Sequence, residues 1–233
     1  MQKTALVTGA SRGLGAGFVE YLSKEGYKVF AGMRDISNAK STENYIPVNL
    51  DVSDDQSIDQ AYAVVASQTE KIDLIINNAG LNKESATNDN KELVCNIDKL
   101  DRASLLKMFD VNSISQILVV KKFLPLITGS PSFIINISSC RASFHDEFTN
   151  SNANYGYRAS KIALNMMTFA SLKDLPKNVR TFAVHPGSVK TDMNPGGTET
   201  PEGAAKSIIA ITRNWKDDYN GKFMRYSGEL YPL

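Results

Sequence analysis

The chain has 233 residues, 42% hydrophobic and 22% charged, with a formal net charge of +1. That balance suits a globular chain with enough apolar residues for a substantial core, and it supplies no strong field for nucleic acid or an anionic membrane surface. Two cysteines, Cys95 and Cys140, are too few for a disulfide framework, and with two histidines there is no metal-ligand cluster, so free thiols, no metal and a cytoplasmic setting are expected.

The N-terminal residues enter a strand pattern almost at once, without an apolar leader, and no apolar run of membrane-spanning length is read. Residues 3–8 (KTALVT) are a short apolar run ending at a glycine, as a buried strand does. Residues 13–24 carry Leu14, Phe18, Val19 and Leu22 at helical spacing. KVFAGM (28–33) and YIPVNL (45–50) read as the second and third strands, and 54–69 as a helix with Ile58, Tyr62 and Val65 on one face. DLIIN (73–77) is a fourth strand, 98–127 a long helix ending near Pro125, and SFIINIS (132–138) a fifth strand. A helix over 154–173, a strand NVRTFAVH (178–185), a helix over 201–213 and a short strand at 222–225 complete the order. Strands alternate with helices and are apolar on both faces. The expectation is a single α/β domain over 1–233, a doubly wound parallel sheet of about seven strands with helices on both faces.

Two polar stretches, 81–96 and 141–154, follow strands on the carboxyl edge, where open α/β sheets bind ligands. They are either ordinary surface loops or the walls of a substrate cleft. In the second reading Phe144, Phe148, Met193 and Cys140 offer an apolar lining for an apolar or aromatic compound. His145 and His185 read as loop and strand-end residues.

The first strand runs into TGASRGLGAG (8–17). Glycines between strand and helix let the backbone turn tightly and approach a pyrophosphate, which the free N–H groups of the helix N-terminus then bind. The strict G-x-G-x-x-G spacing is absent; Gly9, Gly13 and Gly15 are spaced more widely. Residues 157–161 (YRASK) place a phenol and an ammonium on one helix face. A free phenol has a pKa near 10, and an adjacent cation favours the phenolate. Alone, such a pair is ordinarily a solvated helix face. Tyr155 is discounted as an acid because Ala159, not a lysine, stands four residues on.

TGASRGLG (8–15), NNAG (77–80), Asn112, ISS (137–139), YRASK (157–161) and PGSVKTD (186–192) occur in one order. In that order and approximate spacing the chain resembles the short-chain dehydrogenases/reductases, over residues 4 to about 192. The ending GKFMRYSGELYPL is similar to the compact carbonyl-reductase branch related to sniffer and the C-factor proteins. The resemblance implies a Rossmann-type fold and hydride transfer between a nicotinamide and a carbonyl or alcohol, with pairing of subunits into a homodimer or homotetramer. It makes Tyr157 the acid/base and Lys161 its tuner and a ribose ligand. Ser139 becomes the hydroxyl that orients the substrate, with Ser138 adjacent as the alternative, and Asn112 the residue that bends the long helix and holds a relay water.

By the same resemblance the cofactor lies on Gly9, Ser11, Arg12, Gly13, Leu14 and Gly15 of the turn, on Asp51 and Val52 near the adenine, and on Asn78, Ala79 and Gly80. Pro186, Gly187, Val189 and Thr191 lie at the nicotinamide, and residues 189–200 form a mobile substrate loop hinged at Gly196 and Gly197. For cofactor choice, Met33 aligns with the acidic ribose-binding position and Arg34 follows it. Arg12 and Arg34 together suit a 2′-phosphate dianion, so NADP(H) is expected over NAD(H), with Asp35 the residue that would argue for NAD. A dinucleotide-binding regulator without turnover is the alternative, and the joint presence of Asn112, Ser139, Tyr157 and Lys161 favours the enzyme.

Overall fold

A computed structural model describes residues 2–82, 97–129, 131–145 and 153–233. The seven strands are β1 (Thr4–Thr8), β2 (Lys28–Met33), β3 (Tyr45–Asn49), β4 (Leu74–Asn77), β5 (Ser132–Ile137), β6 (Val179–His185) and β7 (Phe223–Arg225). They form one parallel sheet in the order β3-β2-β1-β4-β5-β6-β7. The helices are α1 (Gly13–Lys24), α2 (Asp55–Ala66), α3 (Arg102–Phe109), α4 (Ser115–Phe123), α5 (Tyr155–Ala170) and α6 (Pro201–Arg213).

Alternate residues along each strand feed two separate cores. Val7, Ala31, Ile76, Ile135 and Val184 pack under α1 and α6 with Phe18, Leu22 and Ile208. Leu6, Phe30, Ile75 and Ile134 pack under α2 and α4 with Ile58, Val65, Val119 and Phe123. Burying both faces explains why these strands are continuous apolar runs rather than alternating ones. Pro47 lies in β3, which is an edge strand, where one missing N–H is tolerated. Strand order reverses between β1 and β4, so the crevice at their carboxyl ends is the switch point where such sheets bind ligands.

The long helix expected over 98–127 is not one helix. A short 3-10 turn (Ile97–Lys99) precedes α3, whose N-terminus Asp101 caps by accepting from the Ser104 N–H. A π-helical turn, Asp110–Ile114, separates α3 from α4, and a 3-10 turn with Pro125 closes the run. Apolar periodicity carries no signal for a π turn, a single widened turn within a helical run. By length and composition Arg102–Leu126 passes as a membrane span, which the sequence reading had excluded. Yet Met108, Val119, Val120 and Phe123 from this run are buried in the domain core, as in a core helix. The helix expected over 154–173 is helical over Tyr155–Ala170 and tightens to 3-10 over Ser171–Lys173.

Candidate active site

The glycine turn is fastened to the sheet on both sides. The Ala10 N–H donates to the Gly32 carbonyl at the end of β2, 2.9 Å. On the other side the Asn78 amide donates to the carbonyls of Thr8 and Gly9, each at 3.0 Å, while Thr8 Oγ1 accepts from the N–H groups of Asn78 and Ala79. Gly9 has φ +64°, and a Cβ on Gly15 would lie 2.1 Å from the Gly9 carbonyl oxygen, so no larger residue fits this crossing. Helices α2, α3 and α6 are capped by Asp54, Asp101 and Thr200. At α1 the N-cap is Arg12, which makes no side-chain cap, and the first turn holds no acid. Its N-terminus therefore carries free donors and no acid of its own first turn, which fits a phosphate group.

Deeper in the crevice, Ser139, Tyr157 and Lys161 meet. Ser139 lies two residues beyond β5, is buried, and caps the 3-10 turn Cys140–Ala142 by accepting from the Arg141 N–H, 3.2 Å. Its hydroxyl is near enough to the Tyr157 phenol to pull the phenol's pKa down. The Ser138 Oγ is buried and has no hydrogen-bond partner among the described residues. Lys161 is buried, with Nζ donating to the Ile137 carbonyl at 2.7 Å and lying 5.8 Å from the Tyr157 ring centre. Loss of hydration lowers its pKa from 10.5 to about 8.

Tyr157 does not follow the expectation of a lowered pKa. Burial raises it above 10, and the Ser139 hydroxyl and the charge of Arg141 only partly offset this, while Cys140 adds to the rise. Besides Lys161, a second cation acts on the phenol, Arg141, which the sequence reading placed in a loop. Its distance from Tyr157 along the chain hides the proximity that the Cys140–Ala142 turn creates.

Asn112 sits in the π turn and is completely buried. Its Oδ1 accepts from the Leu81 N–H at 2.7 Å, and its amide donates to the Leu81 carbonyl and to Ser160 Oγ, both at 2.9 Å. The side chain thus joins the strand-end segment to α5. A Cβ on Gly80 would stand 3.3 Å from Asn112 Oδ1 and 3.6 Å from Lys161 Nζ, so the NNAG backbone lies between the glycine turn and the lysine.

Arg34 follows β2 directly and is exposed. A cleft of about 540 Å³ opens beside it, with Ser11, Met33, Asp35 and Tyr45 in its walls. Asp35 is occupied locally: its carboxylate accepts from Ser37, which holds its pKa below the ordinary value. Asp51 Oδ1 likewise accepts from the N–H and hydroxyl of Ser53, and Val52 is buried. Arg12 pairs with Asp192 at 2.9 Å, a contact with no signal in the sequence because 180 residues separate the two.

Thr191 presses its methyl on Gly13, Val189 is buried, and Gly187 has φ +84° with Tyr226 against it. Pro186 is half-buried at the end of β6. Of the apolar lining, Phe144 is 85% exposed and Met193 exposed, so neither is packed over the crevice. Cys95, Phe148 and most of the two polar stretches lie outside the described residues.

A family model for short chain dehydrogenases matches residues 3–202. The NADPH-bound carbonyl reductase from chicken fatty liver superposes with a TM-score of 0.86 at 29% identity, covering 100% of this chain and 99% of that one. The carbonyl reductase Sniffer of D. melanogaster gives 0.86 at 25%, covering 100% of both chains. An uncharacterized oxidoreductase of Schizosaccharomyces pombe is 30% identical over 99% of this chain and 98% of its own length. With its parallel seven-stranded sheet, its ordered motifs and a match over most of its length, this chain belongs to the short-chain dehydrogenase family of oxidoreductases.

Proposed function

We propose that this protein is an NADP(H)-dependent carbonyl reductase in which Tyr157 donates the proton and Ser139 orients the carbonyl oxygen. The observation that carries the reading is the Ser139–Tyr157–Lys161 cluster at the carboxyl end of the sheet, where loss of hydration further favours the protonated phenol. A protonated phenol beside a hydroxyl is the arrangement that reduction requires: Ser139 holds the carbonyl oxygen, and Tyr157 transfers its proton to that oxygen as negative charge develops. A bound nicotinamide would supply the hydride. Lys161 and Arg141 are the cations that stabilise the phenolate left behind.

Choice of NADP(H) is supported by Met33 where an acid would bind ribose hydroxyls, by Arg12 in the glycine turn and Arg34 after β2, two elements joined by the Ala10–Gly32 bond, and by the engagement of Asp35 with Ser37. The NADPH-bound relative is consistent with it. The small-molecule substrate is a carbonyl compound or its alcohol. Leu106 on α3, Ile114 in the π turn and Met166 and Phe169 on α5 are exposed apolar residues, and α3 and α5 pack together; this face is the one we assign to subunit pairing.

The test is consumption of NADPH and, separately, NADH with aldehydes, ketones, diketones and quinones, beside Tyr157→Phe. Selective use of NADPH that falls at least about a hundredfold in the variant, with cofactor binding kept, is the expected result. Unchanged turnover in Tyr157→Phe would remove the assigned mechanism.

A further inference from the structure

Asp192 occupies a place that the proposed reaction does not use. It stands in the tight turn 191–194, where Thr191 and Asn194 exchange backbone hydrogen bonds at 3.2 and 3.0 Å. That turn belongs to a compact segment: the Thr198 and Glu199 N–H groups donate to the Ser188 carbonyl, and Lys190 N–H to the Glu199 carbonyl. The segment lies against the glycine turn, with Thr191 Cγ2 3.1 Å from where a Gly13 Cβ would be. From this position Asp192 Oδ2 accepts a hydrogen bond from Arg12 Nη1 at 2.9 Å.

The two side chains are 68% and 75% exposed, so the pair adds little to stability and is easily broken. Its consequence falls instead on whatever else Arg12 must hold. We infer that Asp192 is a specificity-determining residue: its carboxylate competes with the 2′-phosphate of NADP(H) for the Arg12 guanidinium, and so moderates the preference for NADP(H) over NAD(H). The inference rests on the NADP(H) reading above. A guanidinium offers its donors in one planar fork, so a carboxylate on Nη1 takes one of the two positions from which a phosphate is held bidentately. The single negative charge of Asp192 beside a phosphate dianion is also repulsive. NAD(H) lacks that phosphate and meets neither effect.

Dissociation constants for NADPH and NADH, from quenching of protein fluorescence at low and high salt, test this with wild type, Asp192→Asn, Arg12→Ala and the double variant. Asp192→Asn is expected to tighten NADPH about three- to tenfold and to leave NADH within about twofold, with the gain shrinking in salt. The gain is expected to vanish in the Arg12→Ala background. A merely structural anchor for the 188–200 segment would shift both cofactors alike; that result, or no shift at all, overturns the inference, as does a gain that survives without Arg12. Should wild type bind NADPH no tighter than NADH, the cofactor reading fails and carries this inference with it. If Arg12→Ala erodes an NADPH preference that Asp192→Asn leaves untouched, the inference alone fails. Because both side chains are exposed, the variants are expected to fold, which circular dichroism checks.

Discussion

Tyr157, Ser139 and Lys161 differ in how far their chemistry is set by neighbours. The phenol is raised by burial and keeps its proton at neutral pH, whereas the ammonium of Lys161 loses its proton near pH 8 instead of 10.5. Both shifts have the same cause, because burial penalises whichever form is charged. The sign for Lys161 sets a pH dependence: its charge is present below about 8 and lost as pH rises through that value. Reductive kcat/KM is therefore expected to fall above pH 8, and the limb is expected to disappear in Lys161→Ala along with most of the rate. A profile flat to pH 10 in wild type would contradict this. Ser139→Ala is expected to lower kcat by about a hundredfold, the usual cost of one donor to a developing oxyanion. Ser138→Ala, at a hydroxyl without a partner, is expected to keep kcat within a fewfold.

Among the elements, the π turn at Asp110–Ile114 does the most to assemble the site. It turns Asn112 inward so that both ends of its amide hold Leu81, and a third bond reaches Ser160, next to Lys161 in the chain. Asn112→Ala would leave a buried N–H and a buried C=O of Leu81 without partners, a cost of about 2 kcal/mol or more. For a chain of this length that is a drop in Tm of about 4–8 °C, readable by calorimetry, with turnover lost as α5 loosens. The glycine turn is equally strict: Gly15→Ala is expected to displace the Gly9 carbonyl it would meet and to weaken cofactor binding at least tenfold, measured by titration. The existence of both elements could be read beforehand, from glycines at a strand end and from an asparagine within the motif order. The π geometry could not, since the same apolar spacing fits an uninterrupted helix.

At the scale of the molecule, two cores on opposite faces of one sheet leave a crevice at the strand-order reversal and an apolar face on α3 and α5. If that face pairs subunits, Met166→Glu with Phe169→Glu would place charges in it and shift sedimentation toward a monomer, while leaving cofactor binding unchanged. Unaltered sedimentation of a dimeric species would locate the interface elsewhere. Cofactor binding to the folded crevice alone also raises stability by mass action; NADPH at a hundred times its dissociation constant is expected to add about 2.7 kcal/mol.

Strand count, alternation with helices and the residue types of the site are local properties, carried by apolar runs, glycines and the YRASK pair, and they were legible one segment at a time. Charge state and partnership are not local. Whether Tyr157 is lowered or raised depends on how much water α5 and the Cys140–Ala142 turn exclude around it. Whether Arg12 is free depends on an aspartate 180 residues away, brought to it by the return of the chain from β6 over the glycine turn. Desolvation and long-range pairing arise only when the layers close, and for that reason the folded arrangement, not the motif order, sets the electrostatics of this site.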